Sequence, residues 1–326
     1  MPIDLGYPSH DYLHDRPGYR GTSLQEFFHL LPDDESCLAH VFVKRFGDAP
    51  WCQKCGKHSS KWYRISGTRR FQHFCGYSIS PLAKTVFANT TTPLQLWFYT
   101  MLHLANSAES ANINSIQRHL GISRKAAYRM LTRIRFQMAA IDSDRVVGRP
   151  GEAVMIRLQS VIRVRTGRGM RNRVRYLIMG TDDDVLTYVV GHARRHKVRA
   201  FAERRAATGS MLITDCPDTF NLLSEYGSRI PLAQFINDGL DDYFDTTNTL
   251  RAFQNYFRRP LQIQHKRVDM DKLWLYLKEY EFRFNRRYKS KSIFPDLISN
   301  FPVVTCSEME NLQVQNSGIS VMEKLS

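Results

Sequence analysis

The 326-residue chain contains no apolar run near the roughly 20 residues that a membrane-spanning helix needs. Its start, Met1-Pro-Ile-Asp-Leu-Gly, has no basic segment followed by an apolar one, which argues against an export signal. The expected compartment is the cytoplasm, with no membrane partner. There the six cysteines stay reduced, so their spacing points to metal binding or packing rather than disulfides. No internal repeat is present, and apolar and charged residues occur in ordinary proportion, which excludes wholesale disorder. Acids are scarce relative to bases: 31 Asp and Glu face 46 Lys and Arg, a formal charge of +15. The excess is not confined to a tail. Residues 1–150 carry 19 bases against 11 acids, and residues 151–300 carry 26 against 17. Positive charge spread over folded segments suits a long polyanion, with double-stranded DNA as the expected partner and the nucleoid as the expected location.

A chain of this length can bury several small cores, and its pattern predicts a multi-domain α+β protein. Residues 1–21, rich in Gly, Pro and Tyr, are expected to form a flexible arm. Residues 22–50 form an N-terminal helix region, signalled by Pro32-Asp-Asp-Glu35 and the apolar stripe Leu38, Val41, Phe42 and Phe46. Cys37 falls in that helix as ordinary core. A small β module is expected at 51–90 and a mostly helical domain at 91–145. After a linker at 146–152, a mixed α/β core spans about 150–290, with helices near 248–259 and 270–287 covering a sheet. The polar tail at 291–326 is expected to be frayed beyond Pro302.

In the β module, Cys52-Gln-Lys-Cys55-Gly56 has the spacing of a zinc knuckle, where glycine frees the backbone to turn its amides toward thiolates. A second pair is due about 15–20 residues later. Cys75-Gly76 is there, but three residues before it stands Gln72. The adjacent His73 could serve instead, giving Cys52, Cys55, His73 and Cys75 as a zinc site, with His58 a weaker candidate. The alternative is a metal-free ribbon held by Trp51, Trp62, Tyr63 and Phe71.

Within the helical domain, the run from Asn114 to Leu131 reads as a helix-turn-helix. Ile116, Leu120, Ile122, Ala127 and Met130 fall where two crossed helices bury side chains, Gly121 allows the turn, and Ser123 can cap the second helix. Arg124, Lys125, Tyr128 and Arg129, with Arg133 further along, are residue types that reach phosphates and guanine edges. The alternative is a plain helical hairpin with solvated charges. In the α/β core, no acid occurs from Ala153 to Thr181, but seven arginines do. Arg163, Arg165, Arg168, Arg171 and Arg173, with Arg258, are candidate phosphate contacts.

Taken in order, Cys37-Leu-Ala-His-Val-Phe-Val-Lys-Arg-Phe-Gly47, Trp51-Cys-Gln-Lys-Cys-Gly56, the stretch from Cys75 to Phe87, Thr91-Thr-Pro-Leu-Gln-Leu-Trp-Phe-Tyr99 and Tyr280-Glu-Phe-Arg-Phe-Asn-Arg-Arg287 carry a resemblance. The chain resembles bacterial insertion-sequence transposases with an N-terminal zinc ribbon and a DDE, RNase H-like core (the Merlin-related group) over about residues 22–290. The resemblance implies a zinc-ribbon-like module, a helix-turn-helix domain, an RNase H-like core and work as a multimer, a dimer being the expectation. It also exposes departures. The family's second zinc pair would place Cys at Gln72, and its ribbon ends in Gly-Thr where this chain has Lys84-Thr85. The first catalytic acid falls on Ile156 or Arg157, the second matches Asp215, and the third falls on Arg251. Asp182-Asp-Asp184 is expected in a turn away from Asp215, while Asp241, Asp242 and Asp245 are poorly spaced substitutes. Two-metal phosphoryl transfer needs converging carboxylates. The expectations are therefore no catalytic Mg²⁺, a salt bridge from Arg251 to the remnant Asp215, and a DNA-binding protein without cleavage that acts as a transcription regulator. An active transposase using displaced acids and a basic scaffold for a protein partner are the competing readings.

Overall fold

The computed structural model describes residues 22–107, 111–165, 171–191, 195–223, 234–235, 244–263, 268–287 and 293–318. At 161–165, 171–173, 234–235, 244–247, 259 and 262–263 it describes the backbone alone. The chain folds as two compact units, one of residues 1–137 with 286–305 and the other of residues 138–285 with 306–326.

In the first unit, helix α1 (Leu24–Leu30) starts in a reciprocal capping box: Glu26 donates its amide to Ser23 Oγ, and Ser23 donates its own to Glu26 Oε2. Helix α2 (Asp34–Phe46) is capped by Asp33, whose carboxylate accepts from the Ser36 amide. The three-stranded antiparallel sheet β1 (Trp62–Arg64), β2 (Phe71–His73) and β3 (Ser78–Ile79) follows. Helix α3 (Leu94–Asn106) opens at Pro93, which supplies no side-chain cap; Asp34 reaches across from α2 and accepts from the amides of Leu94 and Gln95 instead. One acid thus holds two helix starts in register. Phe27, Leu38, Val41, Phe87, Trp97, Phe98 and Met101 form the apolar interior. Cys37 is fully buried in it, as expected, and burial pushes its thiol up to about 12, well out of reach of thiolate chemistry.

Helices α4 (Ile113–Leu120) and α5 (Arg124–Ile141) come next. The segment Ile293–Ser299 (α10), placed in the tail from sequence, instead joins this unit. Phe294, Leu297 and Ile298 are buried, and the Leu297 carbonyl accepts from the Gln137 side chain at 2.7 Å.

The second unit is built on a six-stranded mixed sheet: β4 (Ala153–Arg165), β5 (Arg171–Gly180), β6 (Val185–Val189), β7 (Met211–Thr214), β8 (Gln234–Phe235) and β9 (Val268–Asp269). The order is β6-β5-β4-β7-β8, with β9 beside the far end of β4. The β4-β5-β6 meander is antiparallel, while β4-β7 and β7-β8 are parallel. Helices α6 (Arg195–Arg205) and α7 (Pro217–Leu223) pack with Val154, Ile156, Leu177, Met179 and Leu212. Helices α8 (Phe244–Ile263) and α9 (Leu273–Phe284) bring Leu250, Phe253, Phe257, Tyr280 and Phe284 into the interior. This arrangement is compatible with an RNase H-like transposase core.

The closing motif 280–287 is interior rather than surface: all but the half-buried Asn285 are buried. On α9, Lys278 and Glu281 form a buried ion pair at 2.8 Å, and Glu281 Oε2 also accepts from the amide and hydroxyl of Thr187 at 2.7 Å each. Each charge is thereby satisfied where solvent cannot reach it. Where a frayed tail was expected, residues 306–316 form a helix: α11 (Cys306–Asn316) buries Leu312 and Asn316. Beyond it, Gly318 donates to the Val189 carbonyl at 2.7 Å. A polar sequence holds here because it covers the open edge of β6, where unpaired backbone groups would face water.

Candidate functional site

In the small sheet, side-chain alternation decides which residue faces the cysteines. Phe71 and His73 on β2 point inward, and Gln72 points out and donates to the Gly76 carbonyl at 3.2 Å. Gly56 (φ 66°) and Gly76 (φ 85°) adopt left-handed turns directly after Cys55 and Cys75. The result brings Cys52, Cys55, His73 and Cys75 together, with all four ligand atoms within 4.8 Å of one another. Cys52 and Cys75 sulfurs lie 3.5 Å apart, His73 Nδ1 lies 3.1 Å from Cys75 Sγ, and Cys55 Sγ lies 3.7 Å from His73 Nδ1. Tetrahedral zinc places sulfur and nitrogen ligands about 3.5–3.8 Å apart, so the cluster fits the ion with small shifts. Burial pushes the Cys52 thiol up, but the amides of Cys55 and Lys54 and the neighbouring thiols outweigh it and bring it below its ordinary value. Such a donor set could hold zinc. His58 is not part of it; its ring rests 4.9 Å from that of Trp51, and Nδ1 meets the Ala49 carbonyl.

Helices α4 and α5 are joined by a turn in which Gly121 takes a left-handed conformation (φ 62°, ψ 25°), and Ser123 Oγ caps α5 by accepting from the Ala126 amide at 3.2 Å. Ile116, Ala127 and Met130 are fully buried; Leu120 and Ile122 are half-buried at the turn. Arg124 and Lys125 are exposed at the start of α5, with Arg124 bonded to Asn114 Oδ1 at 2.8 Å. Tyr128 and Arg129 are half-buried one turn on. Arg133 is placed otherwise than expected: it donates to the carbonyls of Val86 and Ala88 at 3.0 and 2.6 Å, and burial lowers its pKa. Through Nη1 it fastens the segment after the small sheet to α5.

In the second unit, β4 pairs with β7 in parallel, with Met155 opposite Ile213. Two residues further the same register sets Arg157 beside Asp215. The guanidinium grips both carboxylate oxygens: Nε donates to Oδ1 at 3.0 Å and Nη2 to Oδ2. Such two-pronged pairing is the strongest form of Arg–carboxylate contact. Ile156 points the other way, into the core with Leu177 and Phe201. The position opposite Asp215 is therefore Arg157, which sequence alone left open between the two. The expected bridge from Arg251 to Asp215 is not the one formed. Arg251 is exposed, as are Asn255 and Arg258, on the face of α8 away from the buried Leu250, Phe253 and Phe257. Two residues along β4 from Arg157, Gln159 Oε1 accepts from Gln254 Nε2 of α8 at 2.7 Å, a polar contact that sequence reading missed. Its signal was the i, i+2 spacing that puts Gln159 on the same face of β4 as Arg157.

Asp184 is occupied elsewhere, paired with Arg145 at 2.9 Å, and the Asp182 carbonyl accepts from Thr249. Their turn sits beside the start of β4, whereas Asp215 follows the end of β7. Asp241, Asp242, Arg168 and the side chains of Asp245, Arg163, Arg165, Arg171 and Arg173 lie outside the described residues. Among the described residues, no set of three or more His, Cys, Asp or Glu converges on Asp215.

No curated protein matches the chain. Residues 150–285, the stretch that carries β4, β7, Asp215 and α8, match the model of the ISXO2-like transposase domain. The second unit of this chain thus holds a transposase-family domain.

Proposed function

We propose that this protein is a DNA-binding protein derived from an insertion-sequence transposase, one that holds double-stranded DNA without cutting it and acts as a sequence-specific transcription regulator. The observation that carries the reading is the Arg157–Asp215 pair. Strand cleavage by two divalent ions needs carboxylates whose oxygens are open to metal. Both oxygens of Asp215 are engaged by a guanidinium instead, and the third acid's position holds an exposed arginine. The centre has changed from one that attracts cations to one that supplies its own.

The part suited to reading DNA is the α4–α5 pair. It has the compact turn, the capped second helix and the exposed cations of a helix-turn-helix, with Arg124 and Lys125 at the end that would enter a major groove. Zinc in the Cys52–Cys55–His73–Cys75 site would fix the small sheet beside it, and a dimer on a repeated site suits the transposase ancestry. Fluorescence anisotropy on genomic fragments selected by mapping the bound DNA tests the reading. Discrete promoter sites bound with strong salt dependence support a regulator. Enrichment at mobile-element ends, or binding without sequence preference, contradicts it.

A further inference from the structure

The small sheet of the first unit has two faces of opposite character. One carries Trp62, Phe71 and His73 and is closed by α2, with the Phe42 ring stacked 4.2 Å from that of Phe71. The other follows from register. Tyr63 stands opposite Gln72, and Gln72 opposite Ser78, so these three share the outer face. Lys61 lies two residues before Tyr63 and Arg70 two before Gln72, which adds them to that face; Phe74 falls in the turn after β2, its ring 4.1 Å from that of His73. Tyr63 is 59 % exposed and Phe74 54 %, and Lys61, Arg70 and Gln72 are exposed. Arg70 is braced by Ser78, donating to its hydroxyl and carbonyl at 3.0 and 3.1 Å. Between Asp48 and Glu109 the chain has seven Lys and Arg and not one acid; of these, Arg64 and Arg69 pair with Glu35 and Asp34 of α2.

A sheet face with an exposed ring, two cations, an amide and no acid has the chemistry that takes unpaired nucleotides: rings stack on bases and cations meet phosphates. A base pair inside a duplex offers no ring face to such a surface. We infer that the outer face of β1-β2-β3 is a second nucleic-acid surface, which binds unpaired nucleotides through Tyr63 with Lys61 and Arg70 on the phosphates. It rests on the reading of the chain as a DNA binder and adds to it a site for opened or single-stranded segments, separate from α5.

The test uses the full chain with fluorescein-labelled oligothymidylate of about 12 nucleotides and a duplex of equal length, followed by anisotropy. Tyr63→Leu is expected to weaken oligothymidylate binding at least about fivefold while leaving the duplex within a factor of two. Tyr63→Phe, which keeps the ring, should bind like the parent. Equal oligothymidylate affinity in parent and Tyr63→Leu overturns the inference, as does an equal loss on both DNAs. So does a change in sedimentation of Tyr63→Leu with unchanged oligothymidylate affinity, which would give the face to a second copy of the chain. A parent that binds the duplex but not oligothymidylate sinks this inference alone; one that binds neither sinks the DNA-binding reading itself.

Discussion

At Asp215, what matters is which arginine arrives. Arg157 is 8 % exposed and bidentate, so its loss leaves a largely buried carboxylate without its cation. Removing one partner of such a pair is costly, and Arg157→Ala should lower stability by about 1–3 kcal/mol. Arg251→Ala, at an exposed position, should stay within about 0.5 kcal/mol. Urea unfolding of both variants checks this, and similar losses would contradict the pairing described. Lys84 offers a second residue-scale prediction. It holds φ at 58°, a left-handed conformation unfavourable for any residue with a Cβ, while its carbonyl accepts from the Val304 amide at 2.7 Å. Glycine, which the resembling family carries there, should adopt this turn without strain. Lys84→Gly is expected to raise stability by up to about 1 kcal/mol, net of the entropy glycine loses on folding. A lowered denaturation midpoint would contradict that.

At the scale of elements, alternation along a strand and periodicity along a helix were readable from sequence, and register between strands was not. His73 was a candidate from sequence because it is a metal-ligating residue next to Gln72, and alternation along β2 turns it toward the cysteines. The measurement that follows is metal content: His73→Ala should lose most of its zinc by elemental analysis, and Gln72→Ala should keep it. The reverse result would place the fourth ligand on the wrong side of β2. The buried and exposed faces of α8 were likewise legible from the spacing of Leu250, Phe253 and Phe257. The partner of Asp215 was not, because it depends on how far β4 slides along β7, and sequence does not record pairing between strands some 60 residues apart. Gln159–Gln254 was hidden because it depends on where α8 packs on β4, which the spacing along either element does not give. Helix α11 was missed for another reason: its sequence is polar, and its stability comes from covering the edge of β6, not from a strong apolar stripe. On α5, position sorts the arginines. Arg124→Ala should weaken specific duplex binding more than Arg258→Ala, whereas Arg133→Ala should act first on stability, because its bonds go to Val86 and Ala88. Competition anisotropy paired with thermal unfolding separates the two effects; equal binding losses for Arg124 and Arg258 would count against α5 as the reading helix.

For the whole molecule, the charge of +15 and the Arg157–Asp215 pair both favour the proposed reading. On that reading, cations would bring a polyanion to the surface, and Arg157 would keep a cation where metal-dependent cleavage needs open carboxylates. Binding should therefore weaken linearly with log salt, by about 0.9 log units per phosphate neutralised. It should also be indifferent to Mg²⁺ beyond the effect of ionic strength. The most direct test is to incubate supercoiled DNA with saturating full-length protein in Mg²⁺ and in Mn²⁺ and to assay nicking. The account predicts retarded but intact DNA under both conditions. Nicking that requires the divalent ion and disappears in Asp215→Ala would contradict it.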